Sequence, residues 1–361
     1  MAYTTIDKPS DYFDTKLYTG TGSNNITLTM DNVGWVWMKN RTNTGNHILM
    51  DIVRGGNNSN SQKPVLLSNT TGAEQGSDIT ATGGLAFGST STVIGSDNGG
   101  YNYNNSTSSN YVAWHWGTGT SFTNDASSTG IGTIDSTGSA SDTAGFSIVS
   151  YTGTGSAGTI KHGLSTVPKM IITKKRSASQ GWHVQHASLG ATKELYLNTN
   201  DVAATGSTPW NDTTPTSSVF SVGTSGGTNG SSATYIAYCF AEKKGYSKFG
   251  SYIGNGNADG TFVYTGFRPA WIMFKGSSAG GNHWQIYDTK RNTFNVVDDL
   301  LRANLSNAEN TNDADESIDI VSNGFKCRGT SNNNNNHSGV TYIYMAFAES
   351  PFVNSNGVPN N

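Results

Sequence analysis

The chain has 361 residues, only 13% of them charged, and a formal net charge of −3. That length points to two or three domains. The absence of a basic block argues against nucleic-acid binding by phosphate neutralisation, and no apolar run is long enough to cross a bilayer as a helix. The 44 glycines and an 11% aromatic share describe a chain whose polarity comes from hydroxyls and amides. Disordered chains lack such aromatic content, whereas short strands joined by Gly, Asn and Ser turns have it.

The opening residues, "MAYTTIDKPSDYF", have neither a basic start nor an apolar run, so no signal peptide is expected. Three ordered landmarks then appear three times. The first is "YTGTG" (Tyr18 to Gly22), repeated as "YTGTG" (Tyr151 to Gly155) and "YIGNG" (Tyr252 to Gly256). The second is an apolar strand ending in lysine: "WVWMK" to Lys39, "MIITK" to Lys174 and "WIMFK" to Lys275. The third is "HILMD" to Asp51, "WHVQH" to His186 and "WQIYD" to Asp288. Each copy closes on a tyrosine strand: "YVAWHW" from Tyr111, "YIAYCFAE" from Tyr235 and "YIYMAFAE" from Tyr342. From opening to closing tyrosine the copies span 93, 84 and 90 positions, which marks a triplication.

The lysine-ending strands are apolar on both faces, as expected for strands covered on both sides. The closing strand alternates, with Tyr235, Ala237, Cys239 and Ala241 on one face and Ile236, Tyr238, Phe240 and Glu242 on the other. The predicted fold is therefore all-β: three tandem repeated β-sandwich units of jelly-roll or lectin-like type. Residues 1–116 form the first unit with an N-terminal arm. Residues 117–145, poor in bulky apolar side chains, read as a linker carrying at most an edge hairpin. Residues 146–249 and 250–361 form the second and third units. Their direct junction predicts a rigid pair, with the first unit hinged. The one helical candidate of note is "VVDDLLRANLSNAE" (Val296 to Glu309).

No catalytic, cofactor or metal constellation emerges. His183 and His186 stand three apart on a strand and point to opposite faces, which is wrong for two ligands of one metal. Asp51 and Asp288 occupy matching rim positions in different copies, so they do not form an acid pair in one cleft. Glu242 and Glu349 end strands and are expected to pair with Lys243 or another nearby base. No nucleophile elbow or phosphate-binding loop precedes a helix, and the "DNGG" and "NADG" turns lack a calcium loop's run of acids. Cys239 and Cys327 read as buried free thiols. Trp35, Trp37, Trp271 and Trp284 read as core. Trp210, in "STPWNDTTP", reads either as a staple of its loop or as an exposed aromatic, which with Asn211 and Asp212 would form the candidate contact for a glycan or partner.

Several stretches carry a family resemblance: "AYTTIDKPSDYF", "AGFSIVSYTGTGSAGTIKHGLSTVPKMIITKKR", "YIAYCFAEKKGYSKFGSYIGNGNADGTFVYTGFRPAWIMFK", "IYDTKRN" and "YIYMAFAESPFVNSNGVPNN". The chain resembles virion proteins of marine bacteriophages, of the cyanophage and pelagiphage type, usually called structural or fibre-like. The resemblance covers most of the chain. It implies lectin-like β-sandwich repeats, no catalytic residues and no cofactor. The first copy departs from the pattern, lacking the "VPK" or "RPA" lead-in and carrying a basic "DIVRG" after its third strand. The implied role is a non-catalytic structural protein on the particle surface, a head decoration or head-anchored appendage. The alternative is a tail-fibre or tip adhesin that binds a host-surface glycan. The implied partners are other virion proteins of capsid or tail, sister copies of the chain, or that glycan. The implied location is the virion, assembled in the bacterial host cytoplasm.

Overall fold

The structure, a computed structural model, describes residues 3–22, 26–30, 32–55, 64–75, 86–87, 90–95, 105–330 and 334–359. It is nearly all β, in several antiparallel sheets. The α-helix present among the described residues is a single turn, Ala126–Thr129, capped by the Asp125 carboxylate.

Three large sheets share one strand order. In the first the order is Phe13–Thr19, Asn110–Gly117, Val33–Asn40, Ile48–Asp51, Leu66–Leu67. In the third it is Ser247–Ile253, Thr341–Pro351, Phe267–Gly276, Gln285–Asp288, Leu301–Arg302. The second runs Phe146–Thr152, Thr234–Ala241, Pro168–Lys175, Trp182–His186, Lys193–Tyr196, and is extended at both edges to eight strands. In each, the lysine-ending strand lies between the closing strand and the third landmark, as its two apolar faces require. A smaller sheet of two or three strands accompanies each large one.

Strand alternation divides the core into one shared cluster and three outer ones. Trp35 and Trp37 face the shared cluster, whereas Val36 and Met38 join Leu28 and Ile94 in the first copy's outer cluster. The same split places Ile236, Tyr238 and Phe240 inside and Tyr235, Ala237, Cys239 and Ala241 outside. Rings from every pair of copies meet in the shared cluster. Trp35 lies 4.5 Å from Tyr238, Phe13 lies 5.2 Å from Phe347, and Phe240 lies 6.1 Å from Phe347.

The junctions between copies follow one another in a closed ring. Trp182 Nε1 donates to Leu67 O at 2.9 Å and Trp284 Nε1 to Tyr196 O at 2.9 Å. At the matching place in the first copy, His47 Nε2 lies 3.1 Å from Arg302 O. The backbone repeats the cycle: Glu74 N bonds Arg176 O, Ala203 N bonds Ser277 O and Glu309 N bonds Arg41 O, each at 2.9 Å.

Three expectations are corrected. Residues 117–145 carry the edge hairpin that was allowed for, but it is built into the second large sheet, so the segment is not a free linker. Thr120–Asn124 and Ser136–Ser141 form the outer strands of the second large sheet, with Ser136 opposite Tyr151 and Ser141 opposite Phe146. Small residues suit this edge, because a Cβ on Gly138 would come within 2.2 Å of Ile148 O. The first copy is likewise not set apart as a hinged unit, since its tryptophans lie in the cluster shared by all three. The segment 296–309 is not a helix: Leu301–Arg302 is a strand, and Val297 and Leu300 bridge to Ile318 and Asn310. Leu301 and Ala303 face the shared cluster while Val297 and Leu300 face the third outer one. Two opposed apolar destinations suit an extended chain rather than one helical stripe.

Candidate functional site

The repeated tyrosines lock each copy shut. Tyr18 stacks on Tyr111, Tyr151 on Tyr235 and Tyr252 on Tyr342, with centroids 5.0, 5.1 and 4.9 Å apart. Six positions before each closing tyrosine stands a buried asparagine: Asn105, Asn229 and Asn336. Its Oδ1 accepts from Thr21 N at 2.7 Å, Thr154 N at 2.9 Å or Asn255 N at 3.0 Å. Its Nδ2 donates to Gly95 O, Gly223 O or Gly329 O. Its carbonyl accepts from Gly22, Gly155 or Gly256, each at 2.8 Å and each with positive φ. These glycines therefore stand where other residues would be strained. The asparagine triplet was not identified from the sequence, although its constant spacing was there to find. Replacing Asn229 with alanine strands the partners of both its amide atoms, and we expect a loss of about 2 kcal/mol in urea unfolding.

The polar positions that read as rim residues are mostly internal. Asp51 is buried and paired with Arg54 at 2.6 Å, and Asp288 with Arg291 at 2.5 Å. Glu74 and Glu309 receive the far ends of the same guanidiniums at 3.1 and 2.7 Å. The basic "DIVRG" is thus not a departure: with "DTKRN" it forms a shared Asp-x-x-Arg device. Each aspartate also accepts a bond from a neighbouring copy, Asp51 from Tyr238 Oη at 2.8 Å and Asp288 from Trp114 Nε1 at 3.0 Å. The third closing strand has Met345 at that place, which has no such donor. The middle copy correspondingly carries His186, whose Nε2 lies 3.1 Å from Tyr344 O and whose Nδ1 accepts from Ser188 N. His183, on the opposite face, meets Glu194 at 2.6 Å.

Lys39, Lys174 and Lys275 are fully buried, and burial brings each ammonium down to about 8. Their donors bond backbone carbonyls: Asn40 O at 2.6 Å, Thr71 O at 2.9 Å and Asp201 O at 2.8 Å. Glu242 and Glu349 pair with Lys248 and Arg268, both at 2.7 Å, so Lys243 is not the partner. Cys239 and Cys327 are free and buried, and burial raises both thiols to about 12. Among the described residues no group of three or more His, Cys, Asp and Glu is placed to hold a metal ion.

Burial also sets a pH response. It lowers His186 to about 4 and His115 to about 3, and takes His47 well below the usual range. The unfolded chain binds these protons from about pH 6.5 downward, so their contribution is complete above that pH and is lost as pH falls towards 4. We expect unfolding free energy to decline over that window, with His186→Gln removing about one proton from the slope.

Trp210 is 0% exposed and packs with Phe220 and Tyr235 in the second outer cluster. It is a core residue, so its ring is closed to a sugar or partner; Asn211 and Asp212 alone of that trio are exposed. The exposed aromatics lie elsewhere. In the third copy's small sheet, Phe262 and Tyr264 are 47% and 54% exposed, flanking the buried Val263. Ile253 accepts a bond from Thr261 at the same edge. Phe294 and Val296 flank Asn295, which bonds the Ile320 backbone on the far strand of that sheet. Ile253, Phe294 and Val296 are likewise exposed. The corresponding positions in the other copies carry Thr27 and Thr29, or Thr159 and Lys161. This face of one copy is the candidate contact site.

The family model for a domain of unknown function, DUF7483, matches residues 8–351. No curated protein and no solved structure matches the chain.

Proposed function

We propose that this chain, which belongs to the DUF7483 family, is a non-catalytic structural protein on the surface of a bacteriophage particle. In this reading it is a head decoration or head-anchored appendage. Three repeated, lectin-like β-sandwich units make up the chain, arranged as a covalent counterpart of a trimer. The observation that carries the reading is the cyclic recurrence of the contacts between copies, from Leu67 and Trp182 through Tyr196 and Trp284 to Arg302 and His47. A closed ring suits a site of local three-fold symmetry on a shell. The repeated polar residues are occupied in holding the copies together, which favours contact over chemistry. The resemblance of the sequence to marine phage virion proteins points the same way. The location is accordingly the virion, and the partners are other virion proteins.

The exposed Phe262 and Tyr264 favour one second reading, a tail-fibre or tip adhesin, because aromatic rings offer faces on which sugars stack. Quantitative mass spectrometry of purified particles, referenced to the major shell protein, separates the two. We expect a copy number on the scale of the shell protein. A few copies per particle would select the adhesin, and absence from purified particles would overturn both readings.

A further inference from the structure

The second copy covers an edge that the third leaves open. In the second, the small sheet's edge strand is Gly158–Lys161, and residues 133–136 of the chain lie along its free side. Ile134 bridges Ile160 in parallel, and Ile134 N donates to Thr159 O at 3.0 Å. Thr159 N donates to Thr133 Oγ1 at 2.8 Å, and Ser136 Oγ to Lys161 O at 3.1 Å. The Ile134 side chain joins Ile160 in the second outer cluster. In the third copy the edge strand is Phe262–Tyr264, and only residues 242–246 separate that copy from the closing strand before it, which leaves no comparable segment to cover the edge. Val263 faces Phe325 as Ile160 faces Phe220, so Phe262 corresponds to Thr159 and Tyr264 to Lys161. Cys327 N bonds Thr261 O at 3.0 Å and Thr265 N bonds Asn323 O at 2.9 Å. The alternation of the ladder therefore turns the backbone groups of Phe262 and Tyr264 toward the free edge. Among the described residues nothing bonds them there. The side chains differ as well. Ile253, Phe262 and Tyr264 are exposed at this edge, where the second copy has Thr152, Thr159 and Lys161 and the first has Thr19, Thr27 and Thr29.

We propose that the edge strand Phe262–Tyr264 adds one strand of a partner polypeptide, an extended segment lying parallel to it. Free edge groups bond any extended backbone, and the side chains beside the edge select which one. Polar side chains blunt an open edge, as threonine and lysine do in the other copies, whereas exposed apolar ones invite pairing. The covering segment in the second copy shows what the occupant requires. It brings a hydroxyl to accept from the Phe262 N–H and, next to it, a β-branched apolar residue whose own N–H reaches Phe262 O. That apolar side chain lies beside Val263, as Ile134 lies beside Ile160. A second copy of the chain is the poorer occupant. Two such edges related by a two-fold axis run antiparallel, whereas the covering segment runs parallel. The partner's identity as another virion protein rests on the virion reading; the docking itself is measured on the isolated chain, so either can fail alone.

The probe is a capped peptide of this chain's own residues 131–138, IGTIDSTG, titrated into the full-length protein. Its control is the same peptide N-methylated at the isoleucine that corresponds to Ile134. Calorimetry gives the affinities, and hydrogen–deuterium exchange read by mass spectrometry gives the place. We expect slowed exchange in 261–265 and binding about 10-fold tighter than that of the methylated peptide, which lacks one donor and crowds the edge. Phe262→Pro removes an outward N–H that the fold does not use and should weaken the native peptide by a similar factor. If that variant fails to fold, the two peptides on the native chain still decide. Equal binding of the two peptides, no binding, or equal protection of 26–29 in the first copy would overturn the proposal. So would sedimentation showing a dimer of the chain that protects 261–265 by itself, which assigns the edge to a second copy.

Discussion

Arg291→Met should lower the stability of the whole protein by about 3–5 kcal/mol, because it removes one side of a buried ion pair and leaves the other charged. Asp288 is fully buried and bonds Arg291 Nε at 2.5 Å; Glu309 meets Nη1 at 2.7 Å. Burial alone works against the guanidinium's charge, and Asp288 and Glu309 outweigh it, so Arg291 is held above its ordinary value. Its other bonds, to Ile286 O at 2.8 Å and Asp299 O at 3.2 Å, tie two stretches of backbone together. Lysine at this position should rescue little, since a point charge cannot reach carboxylates and carbonyls in several directions at once. The double variant Asp288→Asn with Arg291→Met should cost less than Arg291→Met alone. Urea unfolding of the three variants tests the ordering, and a loss below about 1 kcal/mol for Arg291→Met would remove this account of the pair.

Trp35→Ala should cost a further-reaching 3–5 kcal/mol or so, the usual range for truncating a buried large aromatic. Trp35 is 1% exposed and lies 4.5 Å from Trp116 in its own copy and 4.5 Å from Tyr238 in the next. Phe146 and Phe240 complete its surroundings at 5.8 and 5.9 Å. Because these partners belong to two copies, the cavity weakens their joint rather than one sheet. The expected melt is a single transition at lower temperature, with tryptophan fluorescence and far-ultraviolet circular dichroism coinciding. Two resolved transitions, the earlier confined to the first copy, would restore the hinged first unit and contradict the shared core.

The sequence by itself determined the β class, the three copies and the two-faced lysine strands. The reason is that alternation and repeat spacing are local properties of a chain, and a strand's period of two survives whatever packs on it. It also determined that Cys239 and Cys327 are apolar fillers, since each sits within an alternating apolar run. Only the tertiary structure decided that the copies close into a ring. The contacts that make the ring, such as Trp182 Nε1 to Leu67 O, join residues far apart in the chain and leave no periodic trace. Burial of Trp210 was hidden for a related reason: its polar neighbours, Asn211 and Asp212, make the segment look exposed, while the cluster that takes in its ring is made by residues far along the chain, Ile134 and Val149 among them. The edge hairpin at 120–124 and 136–141 was allowed for, but its joining of the second large sheet was not legible, because that pairing is carried by backbone groups, which every sequence shares. The Asp-x-x-Arg device and the asparagine latch lay between these extremes. Their spacing is visible in the chain, but their purpose appears only where neighbouring copies or distant loops supply the partner atoms.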